Sequence, residues 1–368
     1  MKRKLVSLSL VVSLGLLLAA CGNSKSKQMT TLSNGSNNTY RTVVVNGKYL
    51  VSKSRGVNLD NGNSITSLKS FDSGLINVAK QEFAPKTYIF QEGQYLSSHT
   101  INQWLARKSE KHPQGLNPAK GSKDNPNPEY LQQIEEQDFM TQSGNQLSLR
   151  GMVIGIAVNS QYQYQKKADG PTYTKDIESS EAQAAGKAAA AKILQRLRQK
   201  KATQRIPIVF AIYQQAGDES LVGGNFVAYT RAEGNQIQHW KKLDYQTKLL
   251  PEVETTTTKT DKKDDDTQNF TNFRDRIQNF FPNLSGVTAQ AQYYNGNLSG
   301  MNVTISTQFY SESEIQSFTQ YVERQAKKYL PSGVPIEIKI QTTDNDIQAV
   351  VYRDGNSDNY NRHVFSAY

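Results

Sequence analysis

Three groups of side chains in this chain have the types and spacing to do chemistry. Glu135, Glu136 and Asp138 are the densest carboxylates near apolar residues, and two carboxylates held about 5–9.5 Å apart across a bond can hydrolyse a glycan by general acid–base catalysis. The stretch that carries them, Glu129–Met140, follows Pro126 and Pro128 and is predicted to be a helix, in which residues 135 and 138 share a face. Acidic residues on an amphipathic helix are ordinarily solvated, which is the alternative to catalysis. The second group is Tyr162, Tyr164, Lys166, Lys167 and Tyr173. Alternate aromatics beside cations suit contact with a carbohydrate, a peptide or a lipid headgroup, unless Tyr162 and Tyr164 are simply one face of a strand. The third is Cys21, the only cysteine of the chain.

Cys21 has a specific context. Lys2, Arg3 and Lys4 precede an apolar run from Leu5 to Ala20, and the run ends in Leu18-Ala19-Ala20-Cys21. A positive start, an apolar stretch and small residues make an export signal. An ordinary signal has no reason to place a cysteine just after the cut, whereas Leu-Ala-Ala-Cys is a lipobox. There the thiol takes a diacylglyceryl group and a peptidase cuts between Ala20 and Cys21. The run is shorter and more interrupted than the ~20 apolar residues of a membrane span. The chain is therefore expected at the outer face of the cell membrane, held by the acyl chains on Cys21, since two chains anchor a protein firmly where one is marginal.

Other chemistry is weakly supported. His99, His112, His239 and His363 form no HxH or HExxH pattern, and none stands beside a serine-nucleophile motif. Asp264-Asp265-Asp266 lacks the alternating ligands, the glycine and the closing glutamate of a calcium loop. There is no phosphate-binding glycine loop, and Gly223-Gly224-Asn225 reads as a hairpin turn. No cofactor and no metal are expected, and with one cysteine no disulfide can form within the chain.

Without the first 20 residues, 40 Lys and Arg face 33 Asp and Glu, a net charge of +7. No block of Lys and Arg accounts for it, which argues against a nucleic-acid partner and for a mildly cationic surface. Residues 21–39 have almost nothing to bury and read as a flexible tether. Asn46-Gly47 between two β-rich runs predicts a hairpin. Leu75–Phe83 and Thr100–Lys108 are predicted helices, the second capped by Ser98, with a Pro/Gly/Asn-rich loop over 112–128. Residues 251–268 read as a polar linker between an N-terminal domain, 40–250, and a C-terminal domain, 269–368. In the latter Phe270, Phe273, Ile277, Phe280 and Phe281 mark an amphipathic helix ending at Pro282.

The two domains share an internal duplication, 149–235 repeated in the C-terminal domain. LRGMVIGI (149–156) matches LSGMNVTI (298–305), Ile206-Pro207-Ile208 matches Val334-Pro335-Ile336, and Tyr229–Asn235 matches Tyr352–Asn356. Between the first two matches lies a helix in each copy, opened by the capping boxes Ser180-x-x-Gln183 and Ser311-x-x-Glu314. Each copy predicts strand–helix–strand–strand with the last two strands a hairpin, hence an α+β fold of two related units, with the N-terminal hairpin and helices packed on the first. A ligand cleft is expected between the units. Gly151 lies 29 residues before Ser180 but Gly300 only 11 before Ser311. The extra residues of the first copy are chiefly QYQYQKKADGPTYTKDIES, an extended hairpin with an aromatic and basic tip.

The lipobox, WLARKSEKHPQGLNP (104–118), PEYLQQIEEQDF (128–139) and LRGMVIGIAVNSQYQY (149–164) together resemble the CamS family of sex-pheromone lipoprotein precursors of Gram-positive bacteria. The resemblance implies a membrane lipoprotein whose released signal is trimmed to a short apolar peptide sensed by donor cells; by position that peptide lies within Ser13–Ala20. It transfers no catalytic residue. The leading expectation is a non-enzymatic binding or interaction protein with an unidentified extracellular ligand or protein partner. The alternatives are a wall-active enzyme using Glu135, Glu136 or Asp138, and an adhesin or envelope scaffold.

Overall fold

The computed structural model describes residues 29–32, 38–57, 65–144, 146–217, 220–252, 265–280, 286–309 and 311–366; the signal segment, Cys21 and Phe281 lie outside them. Met29–Leu32 (β1) pairs antiparallel with Arg41–Val45 (β2), so part of the expected tether forms an edge strand. β2 turns into Lys48–Tyr49 (β3) through Asn46-Gly47, at φ 51° and 75°. Two positive φ values define the turn that matches the twist of a two-residue hairpin. Ile65–Lys80 (α1), Ile89–Glu92 (β4) and Ser98–Leu105 (α2) follow. The cap of α2 is Ser97 rather than Ser98: its Oγ accepts the Thr100 amide at 3.2 Å, while the Ser98 hydroxyl donates to Lys53 O.

Leu131–Ser143 is a strand (β5), not the predicted helix. It forms a long antiparallel hairpin with Gln146–Val158 (β6), from Leu131↔Val158 to Ser143↔Gln146, and β4 takes its other edge. The reason is tertiary. A segment of moderate propensity on either scale is fixed by the strands beside it and by what its two faces touch. Residues with even numbers from 152 to 158 on β6 face one core and Val153 and Ala157 the other, so MVIGIAV is buried on both sides. A near-continuous apolar run is how a strand covered on both faces reads.

Gln161–Gln165 (β7) and Thr172–Asp176 (β8) make the inserted hairpin, a two-stranded sheet by itself. Ser179–Arg198 (α3) then leads to Ile208–Gln214 (β9), parallel to β6, and Asn225–Glu233 (β10), antiparallel to β9. Gln236–Ile237 (β11) and Lys241–Lys242 (β12) both pair with β10 and finish a ten-stranded sheet. The expected Gly223-Gly224-Asn225 turn is instead the end of a longer β9–β10 connection. Ser180-x-x-Gln183 does not form a capping box: Glu178 is the N-cap without a side-chain bond, and Ser179 Oγ donates to Gln214 Oε1 at 2.6 Å.

Tyr245–Leu250 (β13) opens the second sheet, followed by Asp265–Gln278 (α4), Gly286–Tyr294 (β14), Asn297–Thr307 (β15), Glu312–Tyr329 (α5), Ile336–Thr342 (β16), Ile347–Arg353 (β17) and Asn361–Val364 (β18). The strands lie in chain order. The boundary between the domains falls earlier than expected, and the polar segment ends sooner. β13, assigned to the first domain, pairs with β14 and buries Leu250 in the second core, and Asp265–Gln268 belong to α4. At α5 the Ser311–Glu314 capping box is complete in both directions.

The two copies set the same register. Met152 pairs with Ile208 and Met301 with Ile336, and each ladder starts with the same bond, Met152 N–H to Pro207 O at 3.2 Å and Met301 N–H to Pro335 O at 3.1 Å. They differ in layering. α1 and α3 cover opposite faces of the first sheet, whereas α4 and α5 share one face of the second. Accordingly Val153 is buried but its counterpart Asn302 is exposed. The glycines before them differ too. A Cβ on Gly151 would lie 2.3 Å from the Phe83 ring, but one on Gly300 would meet nothing nearer than 3.6 Å. Overpacking a core costs about 1–3 kcal/mol. Gly151→Ala is therefore expected to lose about that much stability in urea titrations, with Gly300→Ala within about 1 kcal/mol of the parent. Equal losses would show that Phe83 gives way.

Candidate functional site

The carboxylates are divided by the strand. Alternate residues of β5 point to opposite faces, so Glu136 and Asp138 lie together and Glu135 lies behind them. Gly93–Ser97, the turn from β4 into α2, wraps over Glu136. Three consecutive amides converge on its carboxylate: Gln94 N–H donates to Oε1 at 3.1 Å, Tyr95 N–H to Oε1 at 2.9 Å, and Leu96 N–H to Oε2 at 2.6 Å. Gln94 N–H also donates to Asp138 Oδ2 at 3.0 Å. Gly93 is required here, since a Cβ would lie 2.7 Å from Glu136 Cβ.

Burial, then the neighbouring Glu136 charge, pushes the Asp138 carboxyl well above the ordinary aspartate range. Burial also raises Glu136, but the Asp138 side chain and the three amides oppose it. On the other face, Glu135 is raised well above its ordinary value by burial and by Asp72 of α1. The three residues do not form one constellation. Glu136 and Asp138 are 2% and 0% exposed, and their oxygens accept from backbone amides that pin the turn leading into α2.

The tyrosines and lysines do come together. Tyr162 and Tyr164 stack at 5.9 Å, Tyr164 and Tyr173 at 5.5 Å, with Arg107 5.3 Å from the Tyr162 centroid and Lys166 5.2 Å from that of Tyr173. The hairpin forms one wall of a cavity of 810 Å³. The opposite wall is the loop over 120–126, which contributes Lys120 and Lys123. Lys166 and Lys167 line the hairpin side, and no acidic residue is among the lining residues. Asp124, 3.7 Å from Lys166, points to solvent at 90% side-chain exposure.

Arg107 joins the two walls. It donates to Pro118 O at 3.1 Å and Asn127 O at 2.9 Å, pairs with Glu129 at 2.9 Å, and covers the Tyr162 ring. Asn117 locks the base of the loop by donating to Leu105 O and Leu131 O and accepting from Leu131 N–H. Arg107, Lys120 and Lys123 escape a reading of the sequence because their loop has no periodicity; Lys120-Gly-Ser-Lys123 was the available signal. Where a cleft was expected between the units there is packing instead: Tyr245 and Tyr294 form a tilted pair at 4.6 Å against the first core, and Thr247 Oγ1 donates to Asn225 Oδ1 at 3.1 Å.

The remaining candidates stay apart. His112 Nδ1 contacts Gln103 Oε1 at 3.1 Å, His363 packs against Phe365, and His99 and His239 are exposed. Asp265 and Asp266 occupy the first turn of α4, where the helix dipole favours acidic side chains, and Asp264 lies outside the described residues. Among the described residues no group of His, Cys, Asp and Glu could hold a metal, and no helix is long and apolar enough to cross a membrane.

A model of the family described as CamS sex pheromone cAM373 precursor matches residues 49–359. The crystal structure of a sex pheromone precursor from Lactobacillus salivarius is similar at 44% identity and a TM-score of 0.85, over 92% of this chain and 100% of that one. The C-terminal domain of the sex pheromone staph-cAM373 precursor from Staphylococcus aureus is similar at 30% identity and a TM-score of 0.71, over 83% of this chain and 98% of that one. No curated protein matches.

The carboxyl pair has a consequence for stability. A carboxyl whose pKa is raised by folding keeps a proton that the unfolded chain releases above pH ~4, so stability is highest below that pH and falls as pH rises toward the folded value. The parent is expected to be less stable at pH 8 than at pH 5, with a slope approaching ~1.4 kcal/mol per pH unit for each such proton. Asp138→Asn keeps the shape of the side chain without the titration and should flatten that slope in urea melts at several pH values. An unchanged slope would assign the proton to another group.

Proposed function

The chain belongs to the CamS family of sex pheromone precursors, and from that premise we propose that it is a lipoprotein anchored at the outer face of the cell membrane through a diacylated Cys21. Its released signal is the source of a short apolar peptide from Ser13–Ala20, and its folded part is a binding module. The anchor and the peptide rest on Leu18-Ala19-Ala20-Cys21 and the apolar run before it. The binding role rests on one observation. The strand–helix–strand–strand unit closes in the second copy with a link of a few residues between β15 and α5, yet the first copy carries the β7–β8 hairpin at the same place.

A hairpin that the unit does not need for closure is free to serve recognition. It stands at the carboxyl end of β6, beside the end of its parallel neighbour β9. Crevices at the carboxyl ends of parallel strands are the usual ligand sites of such sheets. The tyrosine ladder and Arg107 hold the hairpin against the 120–126 loop, so the cavity is formed before a ligand arrives.

Mass spectrometry of membranes and culture supernatant should find a diacylated Cys21 terminus and a discrete fragment of Ser13–Ala20, both lost in Cys21→Ala. A membrane form that retains residues 1–20 would overturn the anchor, and an anchor without any stable peptide would overturn the pheromone route. For the folded part, a photo-cross-linking residue replacing Ala168 at the hairpin tip should capture envelope material in intact cells. The same residue at Thr288, on the exposed face of the second sheet, should not. Equal capture at both would remove the hairpin as the binding surface.

A further inference from the structure

We propose that the cavity between the β7–β8 hairpin and the 120–126 loop binds a phosphodiester-linked polyol polymer, a proposal that rests on the hairpin being the binding surface. The lining offers hydrogen-bond donors and positive charge. Lys120, Lys123, Lys166 and Lys167 are cations without a carboxylate in the lining. The hydroxyl of Ser122 accepts from Asn125 N–H at 3.0 Å and that of Thr172 from Gln165 Nε2 at 3.4 Å, so each keeps its own proton to donate. A wall of donors calls for a ligand rich in acceptor oxygens.

Three observations narrow the class. Carboxylates are best read by an arginine fork, and the arginine at this site, Arg107, already serves Pro118 O, Asn127 O, Glu129 and the Tyr162 ring. Lysine ammonium groups act as point charges and suit phosphate. Second, nucleobases bind by stacking on aromatic faces, but Tyr162, Tyr164 and Tyr173 stack on one another and on Arg107 and Lys166. What the ladder leaves for a ligand is ring edges, the positive side of the quadrupole, and phenol hydroxyls. Third, 810 Å³ is far more than one phosphate fills, and the lysines stand on both walls, which fits charges repeating along a chain. The hydroxyls between the charges of a polyol then meet Ser122 and Thr172.

The test uses the mature chain and fluorescent poly(glycerol phosphate), read by anisotropy at about 50 and 200 mM salt, a range over which charge-driven binding changes markedly. The parent is expected to bind, and Lys120→Gln/Lys123→Gln/Lys166→Gln/Lys167→Gln to bind at least about tenfold more weakly with a shallower salt dependence. Lys192→Gln/Lys201→Gln/Lys327→Gln/Lys328→Gln removes as much charge elsewhere and should stay within about twofold of the parent. Equal loss in both variants, or equal affinity for oligodeoxythymidine, would reduce the effect to general attraction and overturn the proposal. Tighter binding to phosphatidylglycerol vesicles than to the soluble polymer would assign the headgroup source instead. Absence of polymer binding alongside persistent cross-linking from position 168 would overturn the ligand class while leaving the binding surface in place.

Discussion

The parallel pairing of β6 with β9 is the constraint on which the first unit depends. Parallel strands need a crossover, here α3, and the crossover covers only one face of the sheet. β6 is apolar on both faces, so the opposite face must also be covered, and α1 does this with Phe71, Leu75, Val78 and Ala79. Gly151 and Gly155 admit the rings of Phe83 and Phe71 that a side chain would exclude. The N-terminal extension is therefore the missing half of a sandwich. The second unit solves the same pairing more simply: β15 alternates buried Met301, Val303 and Ile305 with an exposed Asn302 and half-buried Thr304 and Ser306.

Covering both faces has an electrostatic consequence. β5, next to β6, is buried along most of its length while carrying Gln133, Glu136, Gln137 and Asp138. Buried charges need donors or a shared proton. Glu136 finds three amides in the turn after β4, and Asp138, whose carboxyl burial pushes up, accepts from Gln94 N–H and the Gln91 amide. The carboxylates that looked most suited to catalysis are the ones that fix the turn leading into α2. From α2 the chain passes Arg107 and the Asn117 lock, and these seat the 120–126 loop opposite the inserted hairpin. The buried pair and the cavity thus sit at two ends of one run of contacts.

What could be read from the residues follows from the range of the interactions. Asn46-Gly47, the Ser311–Glu314 box, the α5 stripe and the strand–helix–strand–strand repeat are local or twice-written signals. Residues 129–140 misled because Pro126 and Pro128 before them looked like a helix start; only β4, β6 and the turn over Glu136 make the segment a strand. Ser180 misled for a related reason. Its neighbour Ser179 turns to Gln214 on β9, a partner 35 residues away. Of the site, Tyr162, Tyr164, Tyr173, Lys166 and Lys167 were legible in their alternation. Lys120, Lys123 and Arg107 were not, because a loop's position is set by side chains that satisfy distant carbonyls.

The duplication separates what the fold requires from what it carries. In both copies an arginine satisfies carbonyls in the loop between the crossover helix and the next parallel strand. Arg198 at the end of α3 donates to Thr203 O and Ile206 O, and Arg353 on β17 donates to Pro331 O and Val334 O. The task is common to both units while the position that performs it has changed, as expected where closing the loop matters more than which element supplies the donor. The β7–β8 hairpin has no such counterpart. The second unit registers its parallel strands from Met301↔Ile336 without one, just as the first does from Met152↔Ile208. Its tyrosines stack mainly on each other and on Arg107, and its lysines face a cavity instead of a core. Physical necessity accounts for the sheets, the helices and the buried carboxyl pair, and leaves the hairpin, with the loop held opposite it, as the part whose chemistry is available to a ligand.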